Sequence, residues 1–129
     1  CVKYPKIFFV VPDEGSAGRS GLPGFIKKRN NSYEVEISCD KNLEKNIKGK
    51  TIGVIDDIIE TGGTMVRVYD KCKELGSSKI IALVTHGALQ SGVNRIKKTY
   101  DELFLSNTID CDSANVDISK LIINALNKK

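Results

Sequence analysis

The segment from residue 54 to residue 64, with the sequence VIDDIIETGGT, limits the fold of this chain more than any other stretch. It begins in an apolar run that is typical of a strand buried on both faces in a parallel sheet. Gly62 and Gly63 lie near its end, and the apolar spacing that follows predicts a helix over residues 64–75, which Gly76 ends. A buried strand, a glycine turn and a helix in this order indicate an open α/β fold, whose ligands bind at the carboxyl ends of the strands.

The rest of the chain repeats this alternation of strands and helices. Buried strands are predicted at residues 6–11, 51–55 and 80–84, and a further strand at residues 103–105. A short edge strand or hairpin arm is predicted around Val35 and Ile37, and helices at residues 93–98 and 118–126. The alternation implies right-handed crossovers and a parallel sheet with helices on both faces. Residues 13–24, which contain four glycines, are predicted to be a loop. Leu121, Ile122 and Ala125 are predicted on the inner face of the last helix.

Composition limits the class of protein further. A length of 129 residues, with 40% hydrophobic and 28% charged residues, predicts one domain over residues 1–129 and excludes disorder and a membrane bundle. The net charge is only +4 and no basic stripe is interleaved with aromatic residues, so no nucleic-acid partner is expected. Four widely spaced cysteines predict reduced thiols in a cytoplasmic protein. Since the chain starts at Cys1 and its one methionine is Met65, a preceding segment is expected.

The turn between strand and helix predicts a phosphate-binding loop. Gly62 and Gly63 allow backbone angles that leave several N–H groups free to face one ligand. The hydroxyls of Thr61 and Thr64 and the positive end of the helix dipole would complete a cradle for a phosphate dianion. The alternative is a plain tight turn from strand to helix, which the order of the whole segment disfavours.

Asp56 and Asp57, just before this turn, indicate a second part of the same ligand. Two carboxylates cannot contact a phosphate without repulsion. They are therefore expected to face either groups that donate hydrogen bonds or a bound cation. Vicinal hydroxyls of a sugar, with Mg²⁺ nearby, satisfy this requirement. The inferred ligand is a sugar phosphate, and the alternative is that both acids are solvated or cap the helix.

The whole segment resembles the phosphoribosyl-diphosphate (PRPP) binding motif of type I phosphoribosyltransferases and of ribose-phosphate pyrophosphokinases, also called PRPP synthetases. Three shorter stretches favour the synthetases: PDEG at residues 12–15, THG at residues 85–87 and LSNTI at residues 105–109. The resemblance implies the parallel-sheet fold of the type I phosphoribosyltransferases. It also implies that the chain is the carboxyl-terminal domain of a two-domain enzyme, whose amino-terminal domain carries the ATP contacts.

The resemblance also implies a role for individual residues that match the family motifs. The residues implied to bind ribose 5-phosphate are Asp56, Asp57, Glu60, Thr61, Gly62, Gly63 and Thr64. Asp13, after the first strand, is implied to help place Mg²⁺ or the ribose. Lys27 and Arg29, in a Lys-x-Arg pattern, are implied as the catalytic residues, since cations assist phosphoryl transfer where charge develops.

The implied activity is that of a ribose-phosphate diphosphokinase, which transfers diphosphate from ATP to ribose 5-phosphate and gives PRPP and AMP. A homo-oligomer is expected from the resemblance, and the 129 residues alone are expected to bind the sugar phosphate without turnover. Two features depart from the family pattern. Glu60 stands where the synthetases usually have Asp, and only the predicted loop separates Asp13 from Lys27, where the family has a helix.

Two other functions stay open. One is a phosphoribosyltransferase that uses the same cradle to hold PRPP and moves the ribosyl group to a base. The other is a non-catalytic regulatory subunit related to the synthetase. His86, the one histidine, is interpreted as a structural residue rather than a proton-transfer group, and residues 90–92 are a weaker candidate for a turn that binds a phosphate effector.

Overall fold

The computed structural model of the protein describes residues 6–29 and 35–128, and the side chains of Arg29 and Val35 lie outside that description. The elements, in chain order, are β1 (Ile7–Val10), α1 (Glu14–Ser20), β2 (Ile26–Arg29), β3 (Val35–Ser38), α2 (Lys41–Ile47), β4 (Thr51–Ile59), α3 (Gly63–Glu74), β5 (Lys79–Gly87), α4 (Gln90–Thr99), β6 (Glu102–Leu105) and α5 (Ser119–Asn127). This alternation confirms the predicted α/β class. None of the helices in these ranges is long and apolar enough to span a membrane.

Four parallel strands form the main sheet, in the order β1-β4-β5-β6. The register aligns Val10 with Val54, and Val54 with Ala82, so the carboxyl ends of the strands meet at one edge. β4 and β5 extend beyond their neighbours and stay paired as far as Ile59 and Gly87. The predicted strand over residues 51–55 is therefore too short, because the pairing with β5 continues as far as Ile59.

One face of the main sheet carries the hydrophobic core. Alternate residues of the central strands point to this face, and Ile52, Val54 and Ala82 are fully buried there. The helices α2, α3 and α4 contribute Leu43, Ile47, Met65, Val68, Cys72, Val93 and Ile96 to the same cluster. The antiparallel hairpin of β2 and β3 adds Ile37, which confirms the predicted hairpin arm.

The opposite face of the sheet is covered more thinly. Its side chains Ile7, Phe9 and Leu83 are half-buried and do not belong to the core cluster. The short helix α1 lies beside this face, since Arg19 on that helix reaches Asp57 near the end of β4. Helices therefore lie on both sides of the sheet, as predicted, but they cover the two faces unequally.

The prediction that residues 13–24 form only a loop is wrong. Asp13 is the N-cap of α1, and its Oδ1 accepts a hydrogen bond from the N–H of Ser16 at 2.7 Å. Gly21 ends the helix in the left-handed conformation, with φ 72°. These two caps satisfy backbone groups at both ends and offset the low helix propensity of the glycines between them. A helix of seven residues therefore separates Asp13 from Lys27.

The helices on either side of the site start close to their predicted positions. α3 begins at Gly63 and ends just before Gly76, whose φ of 88° confirms it as the residue that ends the helix. α4 begins at Gln90, three residues before the predicted start, so residues 90–92 form its first turn rather than a separate turn.

The last helix, α5, is present, but the prediction of its inner face is wrong. No residue of α5 is buried, and Ala125 is exposed. Leu121 and Leu126 expose 68% and 67% of their surface, and Ile122 exposes 51%. An apolar stripe becomes an inner face only where another element covers it, and among the described residues these side chains stay in contact with solvent.

Candidate functional site

The candidate site is a cavity of about 360 Å³ at the carboxyl edge of the main sheet, where ligands of open α/β folds bind. It lies between the ends of β1 and β4 and the start of α3. Its lining residues are Asp13, Ser16, Arg19, Asp56, Asp57, Ile58, Ile59, Glu60, Thr61, Gly62, Gly63, Thr64 and Met65. Among the predicted site residues whose side chains the structure describes, all except Lys27 thus share one cavity.

Residues 61–64, called the cradle below, have the geometry of an anion site. Gly62 is the N-cap of α3 and has φ 80°, a conformation that only glycine adopts without strain. The N-cap glycine has no side chain with which to cap the helix, so N–H groups of its first turn are left for a ligand. Thr61 Oγ1 lies 3.5 Å from the nitrogen of Gly63. The positive end of the α3 dipole adds to the attraction for an anion.

The helix α4 packs tightly against the cradle. A Cβ on Gly92 would lie 1.8 Å from the carbonyl oxygen of Glu60, which no side chain can tolerate. A Cβ on Gly62 would come within 3.2 Å of both the carbonyl oxygen of Gly92 and the side chain of Ile96. Two glycines thus allow the backbones of the loop and the helix to approach each other, and this contact sets the position of the cradle.

Asp13, Asp56 and Asp57 form the acidic end of the cavity. Asp56 and Asp57 point to opposite faces of β4, because successive side chains of a strand alternate. Burial raises the pKa of Asp56 to about 6, although the hydrogen bond from the N–H of Asp57 lowers it. The charges of Asp13 and Asp57 raise this pKa as well, while Arg19 lowers it. Asp57 is exposed and forms an ion pair with Arg19 at 3.5 Å.

The acidic end offers oxygen ligands but no complete metal site. In the part of the chain that the structure describes, no group of three or more His, Cys, Asp or Glu side chains could hold a metal ion. One carboxylate oxygen of Asp13 already accepts the N–H of Ser16, and one of Asp56 accepts the N–H of Asp57. Mg²⁺ usually takes one or two carboxylates and fills its octahedron with water and phosphate oxygens. These residues therefore fit a Mg²⁺ ion that binds together with a phosphorylated substrate.

Lys27 contacts the cradle and not the acidic end. Its Nζ donates a hydrogen bond to Thr64 Oγ1 at 2.9 Å. An ammonium group can only donate, so Oγ1 accepts here and the hydroxyl proton of Thr64 remains available for another acceptor. The side chain of Arg29, the second predicted catalytic residue, lies outside the described residues.

Glu60 and His86 are less closely tied to the cavity. Glu60 is exposed at the rim, while its backbone carbonyl packs on α4. His86 does not line the cavity, and its Nδ1 lies 2.6 Å from Thr108 Oγ1. Since Thr108 donates its proton to the carbonyl oxygen of Thr85 at 2.9 Å, we assign the shared proton to Nδ1 of His86. This arrangement supports the structural interpretation of His86.

Two basic residues at this edge belong to none of the sequence motifs that predicted the site. Arg19, on α1, donates to Ser16 Oγ at 3.2 Å and pairs with the acidic end. Arg95, on α4, donates to the carbonyl oxygen of Thr61 at 3.4 Å. The three-residue spacing of Ser16 and Arg19 puts them on one side of a helix, a signal that a predicted loop conceals. No local signal marks Arg95, because its contact depends on how α4 packs.

Comparison with known proteins gives a family and a set of relatives. Residues 23–120 match the family described as the phosphoribosyl transferase domain. The ribose-phosphate pyrophosphokinase of Pyrococcus furiosus is 34% identical over an alignment 134 residues long, gaps included, which covers 96% of this chain and 47% of that protein. The ribose-phosphate pyrophosphokinase of Thermococcus kodakarensis is 35% identical over 119 residues, covering 84% of this chain and 41% of the relative. The chain spans less than half the length of these relatives.

A solved structure gives the same fold. The phosphoribosylpyrophosphate synthetase from Mycobacterium smegmatis superposes with a TM-score of 0.63 and 22% sequence identity, over 94% of this chain and 44% of that one. At this level of identity the likeness concerns the fold alone. Together with the family match, it confirms the predicted type I phosphoribosyltransferase fold.

Proposed function

Because this chain belongs to the phosphoribosyl transferase domain family, we propose that it binds ribose 5-phosphate as part of a ribose-phosphate diphosphokinase. One observation carries the proposal: an anion cradle at the start of α3 and a carboxylate cluster at the end of β4 share one cavity. The relatives named ribose-phosphate pyrophosphokinase support the activity. The reaction transfers the diphosphoryl group of ATP to ribose 5-phosphate and yields PRPP and AMP.

The cradle binds the 5-phosphate in this proposal. Thr61, Gly62, Gly63 and Thr64 supply backbone N–H groups and hydroxyls, and the dipole of α3 favours the dianion. Lys27 strengthens the cradle by donating to Thr64 Oγ1, which leaves the Thr64 proton to donate to a phosphate oxygen. The phosphate thereby fixes one end of the sugar.

The acidic end binds the ribose hydroxyls. An ionised carboxylate only accepts hydrogen bonds. Asp56 and Asp57 therefore suit the vicinal hydroxyls of ribose, which donate them. Since the pKa of Asp56 is raised to about 6, affinity for the sugar should fall as the pH drops through that range. Glu60, which is exposed at the rim, is assigned to the same sugar.

We assign Asp13 to Mg²⁺, with Asp56 as the second candidate carboxylate, because hard oxygen ligands suit this ion. When bound, Mg²⁺ neutralises charge on the phosphate oxygens of the substrates. Asp13 keeps its place through its bond to the N–H of Ser16, so α1 orients the carboxylate toward the cavity.

The chemical step begins with attack by the anomeric hydroxyl oxygen on the β-phosphorus of ATP. A bond forms between these two atoms, and the bond from the β-phosphorus to the oxygen bridging it to the α-phosphate breaks. AMP departs with that oxygen, and the hydroxyl proton is lost to a base or to solvent. We assign Lys27 and Arg29 to the charge on the transferred group, since cations are most effective where charge develops. Lys27 bonds to Thr64 of the cradle in the structure, so this role requires its side chain to leave that hydroxyl during the reaction.

ATP is the second substrate, and we propose that another domain of the same enzyme completes its site. One domain over residues 1–129, paired with an amino-terminal domain, is part of this proposal. A homo-oligomer and a cytoplasmic location stay predictions. The second domain is supported by the length of the matched relatives, which are more than twice as long as the region they share with this chain.

The activity is tested on the intact polypeptide with ATP, ribose 5-phosphate and Mg²⁺, followed by ³¹P NMR. Equal amounts of AMP and PRPP are expected. Asp56→Asn should lower the rate strongly, whereas the matched change Asp112→Asn, at an exposed acid outside the cavity, should not. Formation of ADP, or no reaction of ribose 5-phosphate with ATP, would overturn the diphosphokinase assignment.

The two other functions give different results in the same assay. A phosphoribosyltransferase consumes PRPP together with a nucleobase and ignores ATP. A regulatory subunit leaves the activity of its parent complex unchanged when Lys27 and Arg29 are both replaced. Either result would replace the proposed reaction and leave the sugar phosphate site in place.

A further inference from the structure

Arg95 contacts the cradle from outside the cavity. Its Nη1 lies 3.4 Å from the carbonyl oxygen of Thr61, and 3.7 Å from the position that a Cβ of Gly63 would take. Arg95 does not line the cavity itself. On the basis of the proposed function, we propose that Arg95 is a positioning residue of the cradle: it holds the Thr61 carbonyl away from the bound phosphate and adds positive charge behind it.

The contact with Arg95 sets the orientation of the peptide between Thr61 and Gly62. In a trans peptide the carbonyl and the N–H point in opposite directions, and the described residues contain no cis peptide bond. With the Thr61 oxygen bound by Arg95 on the outer side, the N–H of Gly62 is turned the other way, toward the cavity. A rotated peptide would instead present its partially negative oxygen to the phosphate.

Such a rotation has little to oppose it locally. Gly62 already has φ 80°, and glycine populates positive and negative φ with similar ease. Gly63 follows it, so two consecutive residues of the loop lack a Cβ. A guanidinium that donates to the carbonyl therefore selects one of the conformations that the glycines permit.

The position of Arg95 is itself fixed by the packing of α4. Near the start of the helix, Gly92 rests on the backbone of Glu60 with no room for a side chain. At the end of the helix, the buried Tyr100 hydroxyl donates to the carbonyl oxygen of Met65, in α3, at 2.6 Å. Since α4 is anchored to the cradle region at both ends, Arg95 projects from a rigid element.

Charge gives Arg95 a second effect. The guanidinium carries a positive charge, and it lies one peptide group behind the expected phosphate. A fixed cation there should strengthen binding of a dianion but not of a neutral sugar. This difference separates a role in phosphate binding from a role in holding the fold.

The test compares Arg95→Met and Arg95→Lys with Lys98→Met, a matched loss of charge at an exposed position on the same helix. Dissociation constants of ribose 5-phosphate and of ribose are measured for the intact polypeptide by NMR titration. Arg95→Met should weaken binding of ribose 5-phosphate by about tenfold and change that of ribose by less than about twofold. Arg95→Lys should recover part of the loss, and Lys98→Met should match the parent protein.

Equal weakening for both ligands in Arg95→Met, or unchanged affinity for ribose 5-phosphate, would overturn the role of Arg95. If thermal unfolding shows that Arg95→Met is not folded, Arg95→Lys is compared with the parent protein instead. Arg95→Lys keeps the charge but not the forked donor, and it should still bind ribose 5-phosphate more weakly than the parent protein does. A parent protein that binds ribose 5-phosphate no better than ribose would instead overturn the proposed function itself. The two failures are therefore distinguishable.

Discussion

The two ends of the cavity are built in opposite ways. The cradle consists of backbone N–H groups and threonine hydroxyls, and two glycines hold it against α4 by close contact. The acidic end consists of carboxylate side chains that repel one another, one half-buried and one paired with Arg19. The cradle depends on the shape of the backbone, whereas the acidic end depends on charge.

This difference indicates how each end should respond to change. A backbone site has no ionisable group of its own, so pH should affect it little, but a single added carbon can displace it. A carboxylate site tolerates a substitution of equal size and shape, but it responds to pH and to the loss of a neighbouring charge. Substitutions at the two ends should therefore differ in kind and in size of effect.

Gly92→Ala should have the largest effect, because it adds a carbon where the loop and α4 touch. The new Cβ would overlap the carbonyl oxygen of Glu60, so the loop or the helix has to move. We expect a loss of about 3 kcal/mol in the free energy of unfolding, at the upper end for overpacking. Urea denaturation measures this loss, and binding of ribose 5-phosphate should fall below detection.

Gly18→Ala is the matched control for this change. Gly18 lies within α1, and a Cβ there would meet nothing within 4 Å. Alanine should therefore raise the stability of the protein, by about 0.5–1 kcal/mol, through its higher helix propensity. A Gly92→Ala protein as stable as its parent would show that this contact does not hold the cradle.

Asp56→Asn should separate the two ends by keeping shape and removing charge. Loss of the charged acceptor should weaken binding of ribose 5-phosphate by about tenfold, since hydrogen bonds to charged groups contribute about 1.5–3 kcal/mol. The same change should stabilise the free protein at pH 7, because the half-buried carboxylate is ionised there against a raised pKa. Calorimetry of binding and of unfolding measures both effects, and reduced stability would contradict the explanation by burial.

The stability effect of Asp56 has a defined pH range. Its pKa is about 6 in the folded protein, against 3.8 for the group in its ordinary state. Between these values the folded protein binds more protons, so the free energy of unfolding should decrease as the pH rises from about 4 to about 6. The shift sets an upper bound of about 3 kcal/mol, which solvent screening reduces to about 1 kcal/mol. Asp56→Asn should remove this slope.

Lys27→Met should have a smaller effect, confined to the phosphate end. The substitution removes the donor to Thr64 Oγ1 and one positive charge beside the cradle. We expect about fivefold weaker binding of ribose 5-phosphate and little change for ribose, equivalent to about 1 kcal/mol. Lys28→Met, at the next position of β2 and also exposed, is the control. Equal weakening in both variants would point to general attraction by the hairpin.

Much of this arrangement could be predicted from the sequence, because the relevant signals are local. Short apolar runs marked the parallel strands, and the glycine turn marked the start of α3. The order of residues 54–64 predicted a phosphate cradle and two carboxylates at the end of one strand. Parallel strands end at the same edge of a sheet, so these residues had to share a cavity with the residue that follows β1.

The features that could not be predicted depend on capping and on tertiary packing. The glycine content of residues 13–24 predicted a loop, but the caps Asp13 and Gly21 stabilise a helix there. The stripe of α5 predicted burial, but a sequence pattern cannot supply the surface that would cover it. The roles of Gly92 and Arg95 appear only once α4 lies against the cradle.

Arg19→Met should have the smallest effect, because both members of its ion pair with Asp57 are exposed, by 66% and 74%. Such pairs contribute about 0–1 kcal/mol, so stability should change little and affinity for ribose 5-phosphate by about twofold at most. Arg19 also lowers the pKa of Asp56, so its removal should move that pKa upward. Carboxyl-detected NMR titration of Asp56 measures the shift, with Lys98→Met as the control. An unchanged pKa would mean that the charge of Arg19 does not act on Asp56, and a large loss of affinity would mean that Arg19 contacts the ligand directly.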